Sequence, residues 1–397
     1  MVRKGGEPEK RPNHPQTDMY FINGPSEVNY FFRRREKMKK LVVFSSVLGI
    51  LVVLVLGIHA TTVAAELPKV TWKMQLCCPE MNPSFKDKVG LKQYPESHSS
   101  AGGASNAREL AQTISRRTNG RFKIRVFAAG ELFSVPQAYE ALEKGAIDMW
   151  FGPPWAFSGR NAIGYVAGSL PFSITNHDQA YDIMYKTNAR EIIRRAYARN
   201  NIYYITGAMG GADGITSTFP INSITDLKGK KIRGGGIKGK VLSALGAVDV
   251  KIAPGEIYTA LQRGVVDGAV MPFYVFGEWG FFEITKYVSL PPVFGNWWVD
   301  YAANMDSWNK LPEEYRRILQ EESDAQWKWV LKTLLPHVEK SEQDKWSKKG
   351  IQYITLTDQS LGQIKKAVYP IWDELAAMSP ENAEIVQLYR EYLGVEK

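Results

Sequence analysis

Apolar and polar residues alternate from Val70 to Leu76 (VTWKMQL), which predicts a strand. After a polar stretch, Ala107, Leu110, Ala111 and Ile114 recur at i, i+3, i+4 and i+7, the spacing of one buried helix face. Asn119-Gly120 stops that helix. Phe122 to Phe127 alternates again as a strand. Ser134-Val135-Pro136-Gln137 has the form of a capping box, with Ser as N-cap and Gln three positions on. The helix it opens ends at Gly145, a residue suited to a left-handed cap, and Met149 to Phe151 makes a short strand. Strands alternating with helices in this way predict a parallel sheet with helices on its faces. Further on, Pro312-Glu313-Glu314 opens a long helical run with proline in its first turn. The run passes Trp327 and Trp329 toward Trp346, with a kink expected at Pro336. Gln359 to Met378 and Pro380 to Leu393 read as two more helices.

Within this pattern one segment recurs. Tyr139-Glu140-Ala141-Leu142-Glu143-Lys144-Gly145-Ala146-Ile147-Asp148 matches Tyr258-Thr259-Ala260-Leu261-Gln262-Arg263-Gly264-Val265-Val266-Asp267 in the frame Y-x-A-L-x-x-G-x-x-D. Each copy follows a basic-apolar strand, Lys123 to Val126 or Lys230 to Arg233. Each leads into a short apolar segment closed by proline, Pro153 or Pro272. Two copies so far apart predict two similar α/β lobes, not a solenoid. Open α/β sheets bind ligands beyond the carboxyl ends of their strands, so two such lobes facing each other enclose a cleft. Asp148 and Asp267 end matching turns and are expected to cap backbone rather than act as an acid–base pair.

Charge changes the picture only at the N-terminus. The chain of 397 residues has a formal charge of +9. Residues 1–65 hold 10 Lys+Arg and 5 Asp+Glu, so the remaining 332 residues carry only +4. Without a basic-aromatic stripe or a recognition-helix pattern, this balance argues against nucleic-acid binding. Arg33, Arg34, Arg35, Lys37, Lys39 and Lys40 precede the uncharged apolar run Leu41 to Gly57, and Val63-Ala64-Ala65 supplies small residues before Glu66. Basic, apolar and small in that order is a secretory signal, with cleavage expected after Ala65. An uncleaved membrane anchor is the alternative, because a spanning helix needs about 20 apolar residues. Residues 1–37 are polar and unlike a signal peptide, so Met38 is a candidate true start. The only cysteines, Cys77 and Cys78, are adjacent. Neighbouring Cα atoms lie ~3.8 Å apart, closer than a relaxed disulfide allows, so two small buried thiols are expected, with a strained and easily reduced bridge as the alternative. No lipobox precedes them, and no Cys/His spacing suggests zinc.

Candidate chemistry is sparse. Gly234-Gly235-Gly236-Ile237-Lys238-Gly239 fits G-x-G-x-x-G between a strand and a helix. A dinucleotide site is nevertheless disfavoured, because the preceding Lys230-Lys231-Ile232-Arg233 is not an apolar buried run and the motif lies deep in the chain. Such a turn still exposes N–H groups that suit an anion, a carboxylate among them. Arg233, at the end of its strand, has the planar fork that holds a carboxylate through two hydrogen bonds. The alternative for it is a surface or interdomain salt bridge. There is no G-x-S-x-G, H-E-x-x-H or Walker pattern, and nothing brings a nucleophile to a base. Trp155, Phe172, Phe273, Tyr274, Trp297, Trp298 and Tyr301 lie near expected strand ends, as do Gly152, Val270 and Met271. Of these, Met271, Phe273, Trp155, Gly152, Trp297, Trp298 and Val270 are, with Arg233, the expected lining of a small-molecule pocket.

Asp226-Leu227-Lys228-Gly229-Lys230-Lys231-Ile232-Arg233, Leu245-Gly246-Ala247 and the run Glu256 to Gly268 closely resemble the signature of substrate-binding proteins of tripartite ATP-independent periplasmic (TRAP) transporters, solute-binding protein family 7. Ala129-Gly130-Glu131-Leu132, Leu170-Pro171-Phe172 and Asn304-Met305-Asp306-Ser307-Trp308 extend the resemblance over residues 70–390. It implies a two-lobed α/β fold like that of periplasmic binding proteins, with hinge strands and a long helix spanning both lobes. Lobe I is expected at 66–210 plus 297–335 and lobe II at 211–296 plus 336–397, after a leader at 1–65. The resemblance implies a periplasmic receptor, not an enzyme, that closes its cleft on a small organic acid and delivers it to a membrane permease. A secreted enzyme acting on a similar acid, or a sensory receptor, is the alternative. By the resemblance Arg233 binds the ligand carboxylate. After Val266-Asp267-Gly268 this chain has Ala269-Val270-Met271-Pro272, where metal-assisted relatives place a carboxylate, so no metal or other cofactor is expected. A second arginine of some relatives is replaced near Asp213-Gly214-Ile215. The expected ligand is therefore a monocarboxylate with an apolar or aromatic body, then an aliphatic keto or hydroxy acid. The receptor is expected to be a monomer or a dimer.

Overall fold

The computed structural model describes residues 66–77, 103–167, 170–252 and 254–395. The leader, with its expected signal, and Cys78 lie outside the described residues. Residues 67–397 make one compact unit. Its first elements are β1 (Val70–Leu76), α1 (Gly103–Arg117), β2 (Phe122–Phe127), α2 (Val135–Glu143) and β3 (Met149–Gly152). Next come α3 (His177–Lys186), α4 (Ala189–Ala198) and the 16-residue strand β4 (Ile202–Ser217). The second half holds β5 (Lys231–Arg233), α5 (Gly236–Ala244), β6 (Val248–Asp249), α6 (Ile257–Gln262), β7 (Gly268–Pro272), α7 (Phe273–Glu278) and β8 (Tyr287–Leu290). The chain then returns through β9 (Asn296–Asn304), α8 (Met305–Lys310), α9 (Glu313–Trp329) and α10 (Leu335–Ser347). It finishes with β10 (Gln352–Thr355), α11 (Asp358–Ala376) and α12 (Pro380–Leu393).

Local patterning accounts for most of these elements. Trp72, Met74 and Leu76 of β1 are buried while Thr71 and Lys73 face out. The helical stripe Ala107, Leu110, Ala111 and Ile114 is buried in α1. Asn119 and Gly120 then turn the chain with φ of 49° and 72°. At the start of α2 the Gln137 side chain accepts from both the backbone N–H and the hydroxyl of Ser134.

The strands run in the order β2-β1-β3-β9-β4-β7-β5-β6, with β8 joining β4 and β10 joining β8. Within this order are two matching halves. β2, β1 and β3 are parallel and β9 lies antiparallel beside β3. Likewise β6, β5 and β7 are parallel and β4 lies antiparallel beside β7. The internal repeat is the αβ unit of each half, α2–β3 and α6–β7. Gly145 and Gly264 end the two helices with φ of 72° and 68°, a conformation open to glycine without Cβ strain. Asp148 accepts from the Lys73 backbone N–H at 2.8 Å, and Asp267 accepts from that of Lys231 at 2.8 Å. Both carboxylates are thus backbone pins between neighbouring parallel strands. This corrects one equivalence in the sequence: the counterpart of β5 is β1, not the strand at 123–126, because β1 and β5 carry the pinned N–H groups. β2 corresponds instead to β6.

The two hinge strands are β4 and β9. β4 pairs with β9 from Ile202 to Ala212 and with β7 from Asp213 to Ser217, so one strand serves both sheets. The long helix also crosses. α9 packs on α1, and its Tyr315 stacks on Phe122 of β2; α10 reaches α7, and its Trp346 lies against Phe282 in the turn that follows α7. Between them Val330–Leu334 forms a π-turn. The expected kink at Pro336 takes this form: proline offers no N–H and crowds the carbonyl four residues back, and a widened turn relieves both. Pro312 lies at the N-cap of α9, one step ahead of the first helical residue. α11 joins the second half, where Ser360 accepts from the Ile224 N–H. α12 packs on both α11 and α4, with an Arg390–Asp373 ion pair to the former and Arg195–Glu384 and Arg199–Glu381 ion pairs on the other side, so the last 14-residue helix touches elements of both halves.

Candidate functional site

β5 ends at Arg233, β7 ends at Pro272, and β4 passes them at Asp213, which is paired with Pro272. Carboxyl ends of the second-half strands therefore converge on a single place. Arg233 is half-buried there. Its Nε donates to Ile252 O at 3.2 Å, and Nη1 lies 3.5 Å from Val270 O and 3.2 Å from Met271 Sδ. These partners are neutral. Burial draws the guanidinium pKa below its ordinary value, opposed by the nearby Asp213 and Asp249 carboxylates. Guanidinium is charged at any physiological pH, so this buried cation is held by weak acceptors.

The glycine-rich turn after Arg233 does not await an anion. Asp249 of β6 accepts from Gly234 N at 3.1 Å and Gly235 N at 2.9 Å. A Cβ on Gly239 would come within 2.1 Å of its Oδ2. The G-x-G-x-x-G spacing thus makes room for the chain's own carboxylate. The expectation that these N–H groups serve a ligand is corrected on that ground: a nest for a carboxylate exists, and Asp249 fills it.

Lys238, in the first turn of α5, forms an ion pair with Asp213. Asp213 is fully buried and the Lys238 side chain is 18 % exposed. Neither residue is legible as a pair in sequence, because 25 positions separate them. The one signal was that Asp213 stands near the place where some relatives carry arginine.

The remaining expected lining divides. Val270 and Met271 are buried and touch Arg233. The Phe273 ring packs over Gly214, where a Cβ would approach within 2.1 Å. In the first half, Gly152 ends β3 and pairs with Asp300, while Trp155 is 46 % exposed on the turn that follows. Of Trp297 and Tyr274 only the backbone is described, Trp297 pairing with Gly211. Trp298 differs from expectation. Its side chain is fully buried and its indole N–H donates to Asp300 at 3.0 Å. Tyr301 is likewise buried, with its hydroxyl on Gln326. Both face the core of the first half rather than an open surface. A separate concavity of about 830 Å³ lies between α4 and α12, lined by residues such as Ile192, Asp373 and Arg390, and contains none of the strand-end residues.

Sequence reasoning missed Asp300. Its carboxylate is buried in β9, where it accepts from Tyr197 Oη at 2.5 Å and Trp298 Nε1 at 3.0 Å. Burial pushes its pKa up to about 7, against the two hydrogen bonds that favour the ion. Among the described residues no group of three or more His, Cys, Asp or Glu has a metal-binding arrangement, and no helix is long and apolar enough to cross a membrane.

Known proteins show the family of this chain. The model of the bacterial extracellular solute-binding protein family 7 matches residues 94–379. A monocarboxylate 2-oxoacid-binding periplasmic protein from a Nostoc species is 32% identical over 271 residues, covering 66% of this chain and 67% of the relative. A C4-dicarboxylate-binding periplasmic protein from Rhodobacter capsulatus is 24% identical over 69% of this chain and 81% of its own length. A TRAP periplasmic solute-binding protein from Colwellia psychrerythraea, solved with bound calcium and pyruvate, superposes with a TM-score of 0.67 at 23% identity. That superposition covers 82% of this chain and 94% of the other. A family model spanning most of the chain and its two matching half-sheets agree: the chain belongs to bacterial extracellular solute-binding protein family 7.

Proposed function

We propose that this chain is the periplasmic receptor of a TRAP transporter, that it closes on a small monocarboxylate held by Arg233, and that it passes the acid unchanged to the membrane permease. The observation that carries this reading is the state of Arg233. It is a half-buried guanidinium at a strand end whose hydrogen-bond partners are two carbonyls and a thioether. Its fork matches a carboxylate in geometry and charge, and such charge-assisted bonds are roughly twice as strong as neutral ones. Met271 and Phe273 give the wall beside it an apolar character suited to the body of an acid rather than to a second charge.

The 32% identical relative named for monocarboxylate 2-oxoacids supports the same class of ligand. Short 2-oxo monocarboxylates are accordingly the first acids to test, with aromatic monocarboxylates beside them. Capture proceeds by hinge motion about β4 and β9, since a ligand favours the closed state only through contacts it gains there. The reading involves no chemical step, and a receptor of this kind returns its ligand intact.

A thermal-shift titration of the purified protein against mono- and dicarboxylates tests the proposal. A ligand at 100 times its Kd stabilises the native state by about 2.7 kcal/mol. A concentration-dependent rise in melting temperature with a 2-oxo or aromatic monocarboxylate is expected. Saturating acids of every class without a shift would contradict it.

A further inference from the structure

The ion pair between Asp213 and Lys238 has a consequence for which acids fit, given the carboxylate-receptor reading on which it rests. Two cations stand at this strand end, five residues apart in sequence: Arg233 closing β5 and Lys238 opening α5. They are not equivalent. Lys238 is bound to Asp213, whereas the hydrogen-bond partners of Arg233 are neutral. Asp213 itself is fully exposed to neither water nor a second donor. It is 0 % accessible, and apart from the Lys238 ammonium no described group hydrogen-bonds to either carboxylate oxygen. Its place is fixed by backbone, with its N–H on Gly295 O and its carbonyl accepting from Phe294 N. The neighbouring Gly214 pairs with Met271, whose sulfur touches Arg233.

We propose that Asp213 sets the charge selectivity of the receptor: by engaging Lys238 it leaves Arg233, of the two cations at this strand end, as the one offered to ligand, and so admits monocarboxylates and rejects dicarboxylates. A second carboxylate on the ligand has two options. It can remain near Asp213, where like charges in a desolvated site repel and cost several kcal/mol. Or it can take Lys238 and strand Asp213, a buried ion without a partner, which is more costly than a surface charge. Neither penalty applies to an acid whose far end is a methyl group.

The test compares 2-oxopentanoate with 2-oxoglutarate, five-carbon acids that differ in whether the far end is methyl or carboxylate. Kd values by calorimetry are measured for the wild-type protein, Asp213→Asn and the double variant Asp213→Asn/Lys238→Met. Wild type is expected to favour 2-oxopentanoate. Asp213→Asn removes the repulsion and frees Lys238, so the preference is expected to fall by roughly tenfold or more. The double variant lacks both the repulsion and the second cation, and its preference is expected to lie between the other two. This arm also serves if Asp213→Asn does not fold, because it replaces the pair as a unit. A preference unchanged from wild type in a folded variant would overturn the role of Asp213 while leaving the receptor intact. So would a wild type that binds 2-oxoglutarate as tightly as 2-oxopentanoate. Binding of neither acid by wild type, with no shift from any other carboxylate, would overturn the receptor reading and this inference with it.

Discussion

Arg233→Ala is expected to abolish most ligand affinity while leaving the protein folded. Truncating one partner of a buried, hydrogen-bonded charge pair costs about 2–5 kcal/mol, much of it the penalty on the charge left unpaired. Here that charge is the ligand carboxylate. The fold is spared because Arg233 contributes only two bonds to carbonyls and a sulfur contact, and the β5–β7 and β5–β6 ladders do not depend on its side chain. The variant should therefore show a melting temperature near that of wild type without ligand, and little or no shift when ligand is added. Arg233→Lys should fall between, since an ammonium keeps the charge but not the two parallel donors. Unchanged affinity in Arg233→Ala would remove this residue from the site.

Asp300 should make stability depend on pH in the direction opposite to most carboxylates. Its folded pKa is pushed up to about 7 by burial, from an ordinary value of 3.8. Below about pH 4 the group is protonated in both states and costs nothing. Between about 4 and 7 the unfolded chain releases the proton first, so stability falls as pH rises. Above about 7 the full penalty is present, on the order of 4 kcal/mol at 1.36 kcal/mol per unit. Asp300→Asn cannot ionise. Its amide oxygen can accept from Trp298 and its amide nitrogen can donate to the Tyr197 oxygen. The variant should be close to wild type below about pH 4 and more stable at pH 8, with a flatter melting profile between them. Parallel profiles for the two proteins would show that Asp300 does not titrate in this range. The site has little room to relax by other means: a Cβ on the facing Gly207 would lie 2.3 Å from Asp300 Oδ1.

What was legible in the sequence was local or repeated. The strand at Val70–Leu76 and the helical face at Ala107–Ile114 follow from periodicity, which burial of one face imposes. The repeat revealed two halves because the same short-range problem, ending a helix at glycine and pinning the next strand through aspartate, is solved twice. The place of Arg233 at the end of a strand was legible in the sequence, and the ligand-binding role proposed for it came from the family resemblance. What was hidden depends on contacts between distant segments. Nothing near Gly234 announces that Asp249 will fill the turn. Asp213 and Lys238 meet only because β4 passes the start of α5. Trp298 looked like a pocket aromatic because sequence does not say that both faces of β9, the one bearing Trp298 and the one bearing Tyr301, are buried.

The most direct test of the central claim is a crystal structure of the protein bound to the monocarboxylate that gives the largest thermal shift. Both ligand oxygens are expected on the Arg233 guanidinium, at about 2.7–2.9 Å, with Met271 and Phe273 against the body of the acid. A carboxylate held elsewhere, with Arg233 still bound to Ile252 and Val270, would contradict it.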